Sequence, residues 1–191
     1  FSTQWIEEVK KFGNYDLKYD QYNLSWIKEG TYYGPKDPNP YVDAFWQWWP
    51  TLKKDLHTLR ITGGEPLLNP DAMRVLDVLE EDPAPHLEIS INSNLGVTED
   101  RVERVIKRVK SLLENKKIRS IKIYTSLDSW GVEAEYMRTG LDCGLWENNV
   151  RKILNTGSSI SLMCTYNVLC VTNFNKLPVS YTHLRAHETS L

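Results

Sequence analysis

The stretch Leu59-Arg60-Ile61-Thr62-Gly63-Gly64-Glu65-Pro66-Leu67-Leu68-Asn69-Pro70-Asp71 decides how the chain reads. Leu59 and Ile61 alternate with polar neighbours, as in a strand, and the run stops at two glycines, an acid and a proline. Asn69 suits a helix N-cap, and Pro70 suits the first helical position, where no N–H is needed. The pattern is strand, glycine turn, helix. Adjacent glycines let the backbone take φ > 0 and let a ligand approach with no Cβ in the way. Glu65 adds a carboxylate for a cationic group. The same residues equally describe a tight βα turn with a surface acid, and both readings stand at this point.

Downstream, the helix after Pro70 is expected to run to about Glu81, with Met73, Val75, Leu76 and Leu79 as its apolar face. Pro83 and Pro85 close a loop. His86–Ser93 reads as a second strand, Leu87, Ile89 and Ile91 alternating with Glu88 and Ser90, and it ends in the polar run Asn92-Ser93-Asn94-Leu95-Gly96. Thr98-Glu99-Asp100 open a helix with acids where they complement the macrodipole. Val102, Val105, Ile106, Val109, Leu112 and Leu113 form its apolar stripe, and Arg101, Arg104, Lys107, Arg108 and Lys110 its solvated face. A third strand, Ser120–Leu127, ends in Thr125-Ser126-Leu127-Asp128-Ser129. Helical pieces over Glu133–Thr139 and Leu145–Asn155, a stop at Gly157 and a fourth strand over Ile160–Val171 complete the pattern. Strands alternating with crossover-length helices predict an α/β fold with a parallel sheet. Ligands in such folds sit at the carboxyl ends of the strands, where the polar runs gather.

Upstream, Ser2–Phe12 reads as a short helix ended by Gly13, and Asn14–Pro40 as mostly loop with a helical turn near Leu24–Lys28. Tyr41–Trp49 reads as a helix that Pro50 kinks or ends. Its Phe45, Trp46, Trp48 and Trp49 suit either a buried cluster or a stacking surface of an aromatic recognition domain. At 191 residues the chain can form one domain with a sizeable core. A formal net charge of −2 announces no nucleic-acid partner. No apolar run approaches a membrane span, so no membrane contact is expected, and the chain's cysteines suit a reducing, cytoplasmic setting. Three cysteines, Cys143, Cys164 and Cys170, are odd in number and late in the chain, which argues against a disulfide framework. Phe1 is not an initiator methionine, so an earlier start is expected.

Two domains of unequal meaning are expected, 1–178 as an incomplete core and 179–191 as a tail. Val179-Ser180-Tyr181-Thr182-His183-Leu184-Arg185-Ala186-His187-Glu188-Thr189 resembles one reading frame of a transposon-end sequencing adapter. The apparent zinc pair His183-x-x-x-His187-Glu188 falls inside it and is set aside.

Four segments together resemble the radical S-adenosylmethionine (SAM) superfamily, in its subgroup with a twitch-type C-terminal extension: Pro40–Pro50, Ile61–Leu68, Ser90–Leu95 and Glu135–Asp142. The likeness runs from Phe1 to about Leu177. It implies part of a (β/α)6 barrel with parallel strands, lacking the first strand with its cluster loop and the C-terminal part. The intact parent would then reductively cleave SAM at a 4Fe-4S cluster, releasing a 5′-deoxyadenosyl radical that modifies a substrate. By the same likeness, Gly63, Gly64 and Glu65 would hold the SAM amino group, with Pro66 fixing the turn. Asn92, Ser93 and Asn94 would border the SAM pocket. Ser126 and Asp128 match a Ser-x-Asp motif near the ribose and carboxylate, and Arg138 an arginine that pairs with the SAM carboxylate. The plainer roles are turn residues for Asn92 and Asn94, helix caps for Ser126 and Asp128, and a surface charge for Arg138.

The departure from that family is in the cysteines. Its Cys-x3-Cys-x2-Cys motif has no counterpart here, where twenty and five residues separate Cys143, Cys164 and Cys170. The resemblance therefore implies a chain that begins just past its cluster loop, binds no cluster and is itself inactive. A reductant such as flavodoxin or ferredoxin, and a peptide or small-molecule substrate, would serve the parent. The alternative is a non-catalytic α/β module that binds a small molecule or nucleoside at the same strand ends.

Overall fold

The computed structural model describes residues 38–177. The expected helix over Ser2–Phe12, most of the following loop and the tail from Val179 lie outside the described residues. The first described helix, α1 (Pro40–Asp55), carries the aromatic cluster. Phe45, Trp46 and Trp49 pack ring against ring at 5.2–6.2 Å, Trp49 is 3 % exposed and Trp48 60 %. The cluster is therefore largely a packing unit. Of the two expected outcomes, a kink or an end, Pro50 does not end the helix: it lies inside α1, and the Thr51 hydroxyl donates to the neighbouring Trp48 carbonyl.

The rest is α/β. In chain order come β1 (Thr58–Ile61), a 3₁₀ turn (Pro66–Leu68), α2 (Pro70–Glu81), β2 (Ala84–Asn92), α3 (Glu99–Glu114) and β3 (Ile118–Ser126). Then follow α4 (Val132–Met137), α5 (Cys143–Leu154), β4 (Ser159–Met163) and a second 3₁₀ turn (Val168–Cys170). The four strands form one parallel sheet in sequential order, β1-β2-β3-β4. The sheet is not closed into a barrel.

Sequential order with crossovers of one hand sends every connecting helix to the same face. Helix α3 accordingly packs beside both α2 and α5. Most of the apolar stripes predicted on α2 and α3 is buried: Val75, Leu76 and Leu79 on the first, Val102, Val105, Val109 and Leu112 on the second, while Met73, Ile106 and Leu113 are half-buried. They meet a sheet face built from Leu87, Ile89, Ile91, Ile121, Ile123 and Ile160, all at most 3 % exposed. The bond from Trp146 Nε1 on α5 to Thr125 Oγ1 on β3, 3.1 Å, shows which face the helices cover.

The period of two puts the other residues on the opposite face: Arg60, Glu88, Ser90, Asn92, Ser120, Lys122, Tyr124, Ser126 and Ser161. Parallel sheets usually read apolar on both faces because both are covered by crossover helices. Here one face is mainly polar, with Met163 beside Ser126 at its β4 end.

Strand boundaries differ from expectation: β3 starts at Ile118 rather than Ser120, and two other differences have a clear cause. β2 begins at Ala84 and includes Pro85, and the pairing with β3 slips between Ala84 and Glu88, where a residue without N–H skips the ladder. β4 stops at Met163 rather than continuing to Val171. Beyond it, Thr165 N–H turns aside to the Asp128 carboxylate (2.8 Å), and the Asn167 side chain caps the second 3₁₀ turn through Leu169 N–H. Side-chain acceptors, one distant in sequence and one local, take these N–H groups in place of the ladder.

Candidate functional site

The β1–α2 turn is built as its residues dictate. Gly63 has φ +97° and Gly64 φ +56°, and a Cβ on either would meet no atom within 4 Å. The need for glycine is therefore conformational, and the turn's outer surface is open. Glu65 follows in extended conformation and caps the Pro66–Leu68 turn, its carboxylate accepting from Leu67 N–H at 3.1 Å. Asn69 caps α2 through Asp71 and Ala72 N–H.

The same Glu65 carboxylate also ties β1 to β2. Its Oε1 accepts from Ser93 Oγ at 2.7 Å and its Oε2 from Asn94 N–H at 2.8 Å. Ser93 Oγ in turn accepts from Leu95 N–H. Glu65, Ser93 and Asn94 thus form one hydrogen-bonded unit across two adjacent strand ends. Ser126, at the end of β3, and Arg138, after α4, join Glu65 and Asn94 around an open cleft of about 190 Å³. Gly96, Val97 and Gly140 also line it.

Asp128 is buried rather than presented. One carboxylate oxygen takes Arg138 Nη2 at 2.8 Å and the other takes Thr165 N–H. Arg138 is therefore committed on one side to Asp128, while its buried Nε has no partner among the described residues. Neither plainer role, helix cap or surface charge, describes this pair. Asn92 stands apart from the cleft on the polar sheet face, where its Oδ1 accepts from Arg60 Nε at 3.0 Å.

Sequence reasoning missed Asn149. This residue of α5 is completely buried, and its Nδ2 donates to the carbonyls of Leu95 (2.8 Å) and Val97 (3.0 Å). Leu95 is held at φ +52°, a left-handed conformation that costs a non-glycine residue roughly 1–2 kcal/mol. A helix three elements away thereby clamps the loop that forms one wall of the cleft. A buried amide in the otherwise apolar stripe Trp146, Val150, Ile153 was the available signal.

The cysteines form no cluster ligand set: the described residues include no group of three His, Cys, Asp or Glu placed to hold a metal. Cys143 and Cys170 are buried and Cys164 is exposed. Partial desolvation, and then the charge of Asp128, push the Cys164 thiol above its ordinary pKa. Since the thiolate is the reactive form, iodoacetamide should label Cys164 alone in the folded chain. Labelling should be slow at pH 7 and should accelerate as the pH rises past 9; peptide mass spectrometry against pH reads this directly.

Compared with known proteins, the chain matches no family model, no curated protein and no solved structure. No helix among the described residues is long and apolar enough to cross a membrane.

Proposed function

We propose that the strand-end cleft holds the amino-acid head of SAM, and that the chain is part of a radical SAM enzyme whose cluster ligands are not among these 191 residues, since the three cysteines lack the spacing of a cluster loop. The observation that supports this reading is the Glu65 carboxylate. It is held by three donors from two strand-end loops at the rim of the cleft, beside a turn with no side chain in the way. An acceptor fixed in advance loses little freedom when it takes an ammonium group. The size of the cleft agrees, since about 190 Å³ suits an amino-acid head better than a whole nucleoside adduct. Pockets that enclose drug-sized ligands run to about 300–1,000 Å³.

Each residue then has a role of its own. Gly63 and Gly64 give the turn its shape and leave its surface open. Glu65 accepts the ammonium, and Ser93 and Asn94 hold that carboxylate in place. Arg138 offers a guanidinium, already oriented by Asp128, toward the methionine carboxylate, and Ser126 offers a hydroxyl to the ribose. In a closed barrel the polar sheet face would line the interior, where substrate would approach. The described cysteines do not fit the ligation of a cluster. The non-catalytic binding module would use the same cleft.

Equilibrium dialysis of the full chain with radiolabelled SAM tests the reading. Saturable binding is expected, weakened at least tenfold in Glu65→Gln, about 1.4 kcal/mol or more. Circular dichroism checks that the variant folds. Absence of SAM binding, or equal binding by a folded Glu65→Gln, would overturn it.

A further inference from the structure

The polar sheet face has a feature of its own, one pleat step below the cleft. Arg60 on β1 and Lys122 on β3 face the same ring. The Arg60 guanidinium carbon lies 4.5 Å from the Tyr124 ring centre, and the Lys122 ammonium 4.9 Å from it. Register explains the meeting: Arg60 pairs with Ser90 and Ser90 with Lys122, while Asn92 pairs with Tyr124 in the next row. A strand rises about 3.3 Å per residue, so Tyr124 lies roughly 6–7 Å along β3 from Ser126 in the cleft wall.

Like charges brought to one ring are unfavourable unless an anion offsets them. Among the described residues no carboxylate pairs with Arg60 or Lys122. Glu88, the acid on this face, sits one row back and accepts from Ser120 Oγ at 3.2 Å. The guanidinium is also fixed before any ligand arrives. Asn92 takes its Nε–H, and Tyr124 supports its plane. The Nη edge, which suits the two oxygens of a carboxylate or phosphate, has no partner among the described residues. Arg60 is exposed, so the edge is accessible.

We propose that Arg60, Tyr124 and Lys122 form a binding site for an oxyanion, the carboxylate or phosphate group of a small molecule lying along the polar face toward the cleft. The site does not depend on SAM. Asn92 acts as a positioning residue by fixing the guanidinium.

The test is a titration of the full 191-residue chain with inorganic phosphate at constant ionic strength, without SAM, followed by ¹H–¹⁵N NMR. The Arg60 Nε–H signal and the amides of Ser90, Lys122 and Tyr124 are expected to move on one saturating curve. In Arg60→Gln/Lys122→Gln the affinity should fall at least tenfold, and in either single variant several-fold. Both side chains reach solvent, so the fold should survive, and the unperturbed remainder of each spectrum checks this. A parallel titration with acetate assigns the chemistry: tighter binding than phosphate marks a carboxylate site, weaker binding a phosphoryl site. Shifts scattered over the surface without saturation, or an unchanged curve in the folded double variant, would overturn the proposal. Because SAM is absent, either result leaves the reading of the cleft to its own dialysis experiment.

Discussion

Trp146→Ala lowers the stability of the folded chain by about 3–5 kcal/mol, as expected for deleting a large buried aromatic side chain. Three consequences add up at this position. The indole is 1 % exposed, so its apolar area returns to water and a cavity remains between α5 and the sheet. Its edge-to-face contact with Trp130, ring centres 6.1 Å apart, disappears. Thr125 Oγ1, on a completely buried residue, loses the Nε1–H that satisfies it. Urea unfolding followed by far-ultraviolet circular dichroism measures the change in midpoint. Trp146→Phe separates the contributions, since it keeps most of the packing and leaves the hydroxyl unsatisfied, at about 1–3 kcal/mol. A midpoint unchanged in Trp146→Ala would mean that α5 is not seated on β3.

Asn149→Asp is expected to cost a similar 3–5 kcal/mol at neutral pH, the usual penalty for a buried charge without a counter-charge. The substitution is nearly isosteric, so packing is not the cause. It replaces a donor to two carbonyls with an acceptor facing the same two oxygens, 2.8 and 3.0 Å away. Burial and repulsion would raise the new carboxyl's pKa in the folded state above its unfolded value of about 4. The sign follows from linkage. Below about pH 4 the group is protonated in both states, and the variant loses least. As the pH rises toward the raised folded-state value, the unfolded chain alone releases the proton, and stability falls further. Unfolding midpoints of the variant relative to the parent chain, measured from pH 4 to 8, should therefore diverge with increasing pH. A constant difference would show that the amide does not face those carbonyls. Release of Leu95 and Val97 should also loosen the cleft wall.

The βα turn was legible in the residues themselves. Asn69 and Pro70 are where a cap and a first helical position should be, and α2 spans Pro70–Glu81 as the apolar spacing predicts. The glycine pair takes positive φ, for which local sterics suffice. The stripe of α3 and the alternation of β2 likewise follow from side-chain periodicity. The end of β4 did not, because it depends on which acceptor captures Thr165 N–H, and that acceptor is Asp128, 37 positions earlier. Pro85 misled for a related reason: a proline excludes one ladder bond, and only the neighbouring strand decides whether that bond was needed.

The candidate site divides the same way. Sequence by itself determined the parallel α/β class, the polar strand ends and Glu65 as their carboxylate, since these rest on local propensity and on periods of 2 and 3.6 residues. Tertiary structure alone decided the partners. Glu65 binds across to Ser93 and Asn94, Arg138 turns to Asp128, Asn149 clamps a loop more than fifty positions away, and Arg60 and Lys122 converge on Tyr124. Such pairings depend on strand register and helix seating, where one residue of slip would exchange the two faces of the sheet. A chain read in one dimension carries the chemistry of each group but not the distance between any two of them.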